Sequence, residues 1–171
     1  MRLGFSAWEL WGLGLVVAAG TLLHFAYQWS GRKRWVGWVS PVNESTLEHL
    51  KLLYFPGLLF LLVEYAFVGR DVPGFLLAKT LGLLLGMLAI VSLFYTYSGI
   101  LGCHLLAADI LTFFVGVAVS FCAARGFSGR FAGPLADGAA WLLALLVSWL
   151  FVRFTAHPPR LALFQPPPPR D

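Results

Sequence analysis

The sequence predicts an all-α integral membrane protein, a bundle of five transmembrane helices. Of its 171 residues, 59% are hydrophobic and only 12% are charged. The mean hydropathy is +0.79. A water-soluble domain needs more charged residues than this to cover its surface. Much of the apolar surface must therefore face lipid.

Five apolar stretches are long enough to cross a bilayer, which takes about 20 residues. The first, at about residues 8–29, is bracketed by tryptophans as membrane-interface belts are, which favours a retained span over the alternative of a signal peptide. The second, at about residues 45–68, contains Pro56, which kinks a helix unless the bundle absorbs it. The other three are predicted at about residues 75–96, 104–124 and 138–156.

These spans form a single predicted domain, residues 1–157, because the connections between them are too short to fold separately. The small residues Gly82 and Gly86 predict a close helix–helix contact. Residues 158–171 are rich in proline, which cannot continue a helix, and this tail is predicted to be extended or disordered.

The basic triplet Arg32-Lys33-Arg34 directly follows the first span. By the positive-inside rule it predicts a cytoplasmic first loop, an outside N-terminus and a cytoplasmic C-terminus in the inner membrane. Binding of anionic membrane lipids is the alternative role of the triplet. Nucleic acid is excluded as a partner, since the net charge of +4 forms no basic face with interleaved aromatic residues.

Most polar residues gather at one membrane face, where the first and third spans end and the second and fourth begin. Ionisable groups inside a span usually face the bundle interior or a wet cavity, so they are candidates for a site. A divalent metal such as zinc is the cofactor that these residue types suit. The metal-ligand candidates are His24, His49 and Asp109, the acid/base candidates are Glu44 and Glu48, and the pocket-wall candidates are Tyr95 and Tyr97.

The segment from Pro41 to Lys51 is the densest polar motif. Ser45 and Glu48 have the spacing of a capping box at a helix N-terminus, and Asn43 is a competing N-cap. The functional alternative is that Glu44 and Glu48 share one helix face, as do Ser45 and His49, and together offer ligands or acid/base groups.

A second pair of charges lies toward the opposite membrane face. Glu64 precedes the loop between the second and third spans, and Lys79 follows that loop by a similar distance. Two antiparallel helices bring these residues to nearly the same depth. An unpaired charge there is costly, which predicts a buried ion pair.

The polar motifs resemble a family of small bacterial multi-pass membrane proteins known only as a domain of unknown function. The resemblance covers roughly residues 21–120 and implies a membrane bundle but no activity. It is carried by His24-Phe25-Ala26-Tyr27-Gln28-Trp29-Ser30-Gly31, Pro41-Val42-Asn43-Glu44-Ser45, Glu48-His49-Leu50-Lys51, Glu64-Tyr65, Tyr95-Thr96-Tyr97-Ser98-Gly99 and Asp109-Ile110.

A weaker similarity is to the superfamily of alkaline ceramidases and adiponectin receptors, whose members hold zinc within a helical bundle. The match extends to a polar Asn-Glu-Ser block before a span. This chain departs from that superfamily in having five predicted spans and no His-x-x-x-His pair in the last one.

Three functional hypotheses follow from the sequence. The first is a polytopic inner-membrane protein of unknown biochemical function, with a polar pocket near the cytoplasmic face that could hold a metal. The second is a metal-dependent intramembrane hydrolase of a lipid or amide substrate. The third is a small transporter or channel-like module that acts as a homo-oligomer, with Glu64, Lys79 and Asp109 along its pathway. The sequence leaves open whether the chain is an enzyme.

Overall fold

The computed structural model describes residues 7–131 and 133–167. Within these ranges the chain forms no strand, and five helices are long and apolar enough to cross a membrane. This confirms the predicted fold class. The second span, Thr46–Gly69, ends in a π-helical turn at Tyr65–Gly69. The α-helices are α1 (Ala7–Trp29), α2 (Arg34–Gly37), α3 (Thr46–Glu64), α4 (Phe75–Leu101), α5 (Leu106–Phe127) and α6 (Pro134–Ala156).

Helix α3 lies at the centre of the bundle. Half of its apolar stretch is buried inside the protein, compared with 17% for α1 and 17% for α6. It packs against α1, α4, α5 and α6 and supplies the core residues Leu53, Tyr54 and Phe60. The helix runs through Pro56, which is itself buried. The outer helices therefore leave much of their apolar surface exposed, and α3 packs its surface against protein.

Helices α4 and α5 form the most extensive helix–helix contact. A Cβ atom at Gly86 would lie 2.6 Å from the Gly116 carbonyl oxygen, and one at Gly82 would lie 2.5 Å from the Ser120 carbonyl oxygen. These distances leave no room for a side chain. The glycines thus let the two backbones approach closely, as the small-residue spacing indicates.

Two helix boundaries differ from the sequence prediction by four residues or more. Helix α4 continues beyond residue 96 to Leu101, so Tyr97 lies within the helix. It ends at Gly102, which adopts the left-handed backbone (φ 71°) that favours glycine. Helix α6 begins ahead of the predicted residue 138, at Pro134, because proline at the first helical position needs no N–H partner.

The tail predicted at residues 158–171 is described as far as residue 167, and 168–171 lie outside the described residues. The described part contains a short 3-10 helix at Ala162–Phe164, which contacts α3. The Phe164 ring lies 4.9 Å from the Phe154 ring of α6. This part of the tail therefore packs against the bundle through Phe164, which lies in the sequence between Pro158-Pro159 and the prolines that begin at Pro166.

Candidate metal centre and neighbouring polar clusters

The connection between α1 and α3 is held in place by Ser40, whose side chain is fully buried. Its hydroxyl donates to the Leu23 carbonyl (2.6 Å) and accepts from the Tyr27 amide (3.1 Å). These are the two groups that an i to i−4 helical hydrogen bond would join, so the hydroxyl bridges them. The connection is thereby anchored beside His24, a role of Ser40 that no sequence motif indicates.

His24, Glu44 and His49 come together where α1 ends and α3 begins. One ligand atom from each of the three lies within 4.8 Å of the others. The His24 and His49 ring centroids are 5.3 Å apart, and His49 Nε2 lies 3.3 Å from Glu44 Oε2. The three side chains are partly exposed and so remain accessible to water and ions. Among the described residues, this is the group whose geometry suits a metal ion.

The orientation of the His49 ring is set by its own helix. His49 Nδ1 lies 3.0 Å from the Ser45 carbonyl oxygen, which can only accept, so Nδ1 carries the hydrogen. A ligating histidine typically donates its other ring N–H in this way. Nε2 therefore points toward Glu44, to which it donates in the absence of an ion, and it is the atom that would bind an ion once it gives up that hydrogen.

Glu44 lies in the connection just before α3 and is ionised at neutral pH. The hydrogen bond from His49 lowers the pKa of Glu44 below its ordinary value, although partial burial opposes this shift. The charges of His49, His24 and His104 lower it further. The carboxylate thus stays available as an anionic ligand, and His104 lies within electrostatic reach of it.

Asp109 belongs to a second cluster, formed by the end of α4 and the start of α5. It accepts a hydrogen bond from the Tyr97 hydroxyl, and its Oδ2 lies 3.1 Å from His104 Nδ1. The predicted ligands are thus divided between two clusters: His24 and His49 lie together with Glu44, and Asp109 lies in this second one. Tyr95, the other predicted wall residue, is 38% exposed and packs edge-on against Phe94.

Glu48 and Lys51 form a third cluster on the side of α3 that faces α6. Glu48 Oε2 accepts from Lys51 Nζ (2.7 Å) and from the Val42 amide (2.9 Å), and Glu48 Oε1 accepts from the Thr155 hydroxyl (2.8 Å). Lys51 Nζ also donates to Thr155 Oγ1 (2.7 Å) and to the Gly37 carbonyl (2.8 Å). Both residues are almost fully buried. Glu48, one of the two predicted acid/base candidates, therefore lies in a buried cluster with both carboxylate oxygens hydrogen-bonded.

The start of α3 departs from the predicted capping box. Ser45 occupies the N-cap position but makes no side-chain cap hydrogen bond, and Glu48 is engaged elsewhere. Asn43 Oδ1 instead accepts from the Ser45 amide at 2.8 Å, which closes a local turn before the helix. The Ser45 carbonyl accepts from the His49 backbone amide at 3.2 Å and also orients the His49 ring.

The structure brings Glu64 and Lys79 together toward the opposite end of the bundle. Lys79 Nζ lies 2.7 Å from Glu64 Oε2, and the two side chains are 15% and 6% exposed. The ammonium group also lies 5.4 Å from the centre of the Phe75 ring and 5.5 Å from that of Phe121.

A second ion pair at that end joins α1 to α5 and was not predicted. Arg125 Nη1 lies 3.3 Å from Glu9 Oε2. Both residues were visible as charges at the ends of predicted spans. Their pairing depends on which helices are neighbours, which the sequence does not state.

The chain matches one protein family along nearly its whole length. The family is described as a Family of unknown function (DUF6512), and the match covers residues 3–167. This confirms the predicted resemblance to a domain of unknown function. No curated protein and no solved structure matches the chain.

Proposed function

We propose that this chain, which belongs to the Family of unknown function (DUF6512), is a metal-dependent membrane hydrolase whose ion is held by His24, Glu44 and His49. The observation that carries the proposal is the convergence of their ligand atoms within 4.8 Å. Two imidazoles and one carboxylate are a ligand set of catalytic zinc sites, which keep a further position open. A zinc ion there would supply the Lewis acidity that activates water.

His104 and Asp109 supply the base in this proposal. The Asp109 carboxylate can only accept at the 3.1 Å contact, so His104 Nδ1 carries the hydrogen and Nε2 keeps its lone pair. A carboxylate that orients an imidazole in this way is a recurrent general-base arrangement. His104 would accept a proton from the attacking water and return it to the leaving alcohol or amine.

The position of the cluster favours a substrate that resides in the membrane. His24 packs edge-on against Phe25, which stacks on Trp29, and both of these aromatic side chains are exposed on the surface of α1. An ester or amide carbonyl near the headgroup level of a lipid would reach the cluster from this side. We therefore assign the substrate class as lipid esters or lipid amides.

Transport is the less favoured function. Two of the three residues proposed for a pathway, Glu64 and Lys79, neutralise each other in a contact of 2.7 Å. The third, Asp109, is held by His104 and Tyr97 near the other end of the bundle. Such paired charges favour structural and positioning roles.

Metal binding is tested with full-length protein purified in detergent, loaded with Zn²⁺ and freed of excess metal. We expect about one zinc per chain. The His49→Ala variant is expected to bind zinc more than about 100-fold more weakly, because loss of an outer hydrogen-bond partner alone costs roughly 10–100-fold. The matched control is His157→Ala, an exposed histidine outside the cluster, which should retain the metal. Equal zinc in the His49→Ala variant, or none in the wild type, contradicts the metal centre.

Hydrolysis is measured on the same preparations, as fatty acid released from liposomes that contain an ester phospholipid or a ceramide. His104→Gln should retain zinc and lose roughly 10²–10⁴-fold in rate, the usual contribution of a general base. If the zinc-loaded wild type releases no fatty acid from either lipid, hydrolysis of these substrates is excluded. The proposal of the metal centre is not contradicted by that result.

We further propose that the protein lies in a bacterial inner membrane with its N-terminus outside and the metal cluster toward the cytoplasm. The basis is the Arg32-Lys33-Arg34 triplet that directly follows α1. Reporter fusions after Gly31 and after Pro158 should then both indicate the cytoplasm. If both indicate the exterior, the orientation is reversed, and if they disagree, the number of spans is not five.

A further inference from the structure

A basic cleft lies between the α1–α3 connection and the end of α6. It has a volume of about 360 Å³, and its polar wall is formed by Tyr27, Arg32, Arg34, Trp38, Thr155 and His157. None of the described residues that line it is acidic. The cleft is separate from the candidate metal centre, because Thr155 contacts Glu48 on the α6 side of α3, whereas His49 faces α1.

Among the residues that the structure describes, no carboxylate pairs with the two arginines of the cleft. Both are exposed, and neither forms an ion pair within the described part of the chain. A guanidinium group binds phosphate oxygens through two parallel N–H donors, which makes arginine well suited to phosphate recognition. An anionic phosphate group is the ligand chemistry that this cleft fits.

Arg32 is held in the cleft by an unusual backbone. Its φ is +60°, in the left-handed region that residues other than glycine rarely adopt, and Gly31 before it has φ 72°. The Arg32 amide donates to the Tyr27 carbonyl at 2.9 Å and so ends α1 with a fixed reversal. A strained residue that carries an unpaired charge indicates a functional position.

Exposed tryptophans indicate the depth of the cleft in the membrane. Trp29, Trp35 and Trp38 surround this end of the bundle and are 69%, 63% and 42% exposed. Tryptophan side chains concentrate at the level of the lipid headgroups. The two arginines, which follow α1 directly, therefore lie where lipid phosphates lie.

We propose that this cleft binds the phosphate headgroup of an anionic membrane phospholipid. Arg32 and Arg34 contact the phosphate, His157 adds a donor from α6, and Trp38 packs beside the glycerol region. The bound lipid bridges the α1–α3 connection to α6. This inference does not rest on the proposed hydrolase function, because it uses a different face of α3 and different residues.

The test measures lipid affinity of the full chain in detergent, with phosphatidylglycerol and phosphatidylcholine as the two probes. Wild type should prefer phosphatidylglycerol. Arg32→Gln/Arg34→Gln should weaken that binding by roughly 25-fold, about fivefold for each basic residue near a charged lipid surface. The matched control is Arg160→Gln, an exposed arginine outside the cleft lining, which should bind as the wild type does.

Three results would overturn the proposal: equal affinity of the wild type for both lipids, unchanged affinity in the double variant, or displacement of the lipid by millimolar inorganic phosphate. The last result would indicate a site for free phosphate. Should the double variant fail to fold, Arg34→Gln and His157→Gln each remove one contact and leave the strained Arg32 backbone unaltered. Each of these should weaken phosphatidylglycerol binding, and unchanged binding in both contradicts the lipid site.

Discussion

Replacing Lys51 with methionine is expected to destabilise the protein by about 3–5 kcal/mol, the usual cost of breaking a buried ion pair by removing one partner. The Lys51 side chain is fully buried, and its ammonium group donates to Glu48, Thr155 and the Gly37 carbonyl. Methionine fills a similar volume but leaves the Glu48 carboxylate with an uncompensated buried charge. The measurement is the apparent melting temperature in detergent, compared with that of Lys33→Met, an exposed lysine in the same connection.

A double variant separates the buried charge from the loss of packing. Glu48→Gln combined with Lys51→Met removes both charges, so it should be more stable than Lys51→Met alone. Glutamine still offers one oxygen acceptor to the Val42 amide, which Glu48 binds at 2.9 Å. Equal melting temperatures for Lys51→Met and Lys33→Met would contradict this prediction. They would show that the Glu48–Lys51 cluster does not stabilise the packing of the α1–α3 connection and α6 against α3.

Replacing Lys79 with methionine should destabilise the protein by about 2.5–3.5 kcal/mol, the cost that insertion scales assign to a charge left alone within a span. The charge left alone is that of Glu64, whose side chain is only 6% exposed. The loss also removes the ammonium group from between the Phe75 and Phe121 rings. The effect is read as a fall in the melting temperature, with Arg70→Met in the exposed neighbouring loop as the control.

The coupling between the two residues is measured by a double-mutant cycle. Glu64→Gln with Lys79→Met should be less destabilised than Lys79→Met alone, since both charges are then absent. Purely additive losses would show that Glu64 and Lys79 do not interact.

Two features of the sequence predicted the spans and some of the contacts between them: the hydropathy of each segment and the alternating direction of successive spans. A span must be apolar over about 20 residues whatever its neighbours are, so each spanning helix can be predicted from its own segment of sequence. The Glu64–Lys79 contact was also accessible, because a short loop brings two antiparallel helices to equal depth. The gathering of His24, His49 and Asp109 at one end of the bundle follows from the same alternation of spans.

The roles of the two glutamates could not be predicted from sequence, because Glu44 and Glu48 share one face of an ideal helix. Glu44 precedes α3 and turns toward His24 and His49. Glu48 accepts a hydrogen bond from Thr155, which lies over one hundred residues away in the chain. Helical periodicity carries no information about which distant helix covers a face.

The partition of the polar residues into separate clusters has the same origin. Spacing shows that Asp109 lies near the start of its span, but the rotation of α5 about its axis decides that it pairs with His104 and Tyr97. That rotation follows from the close α4–α5 contact at Gly86 and Gly116. Local hydropathy thus specifies the spans and their polar end. Which polar side chains meet is decided by the packing of whole helices, because these meetings depend on contacts between residues far apart in sequence.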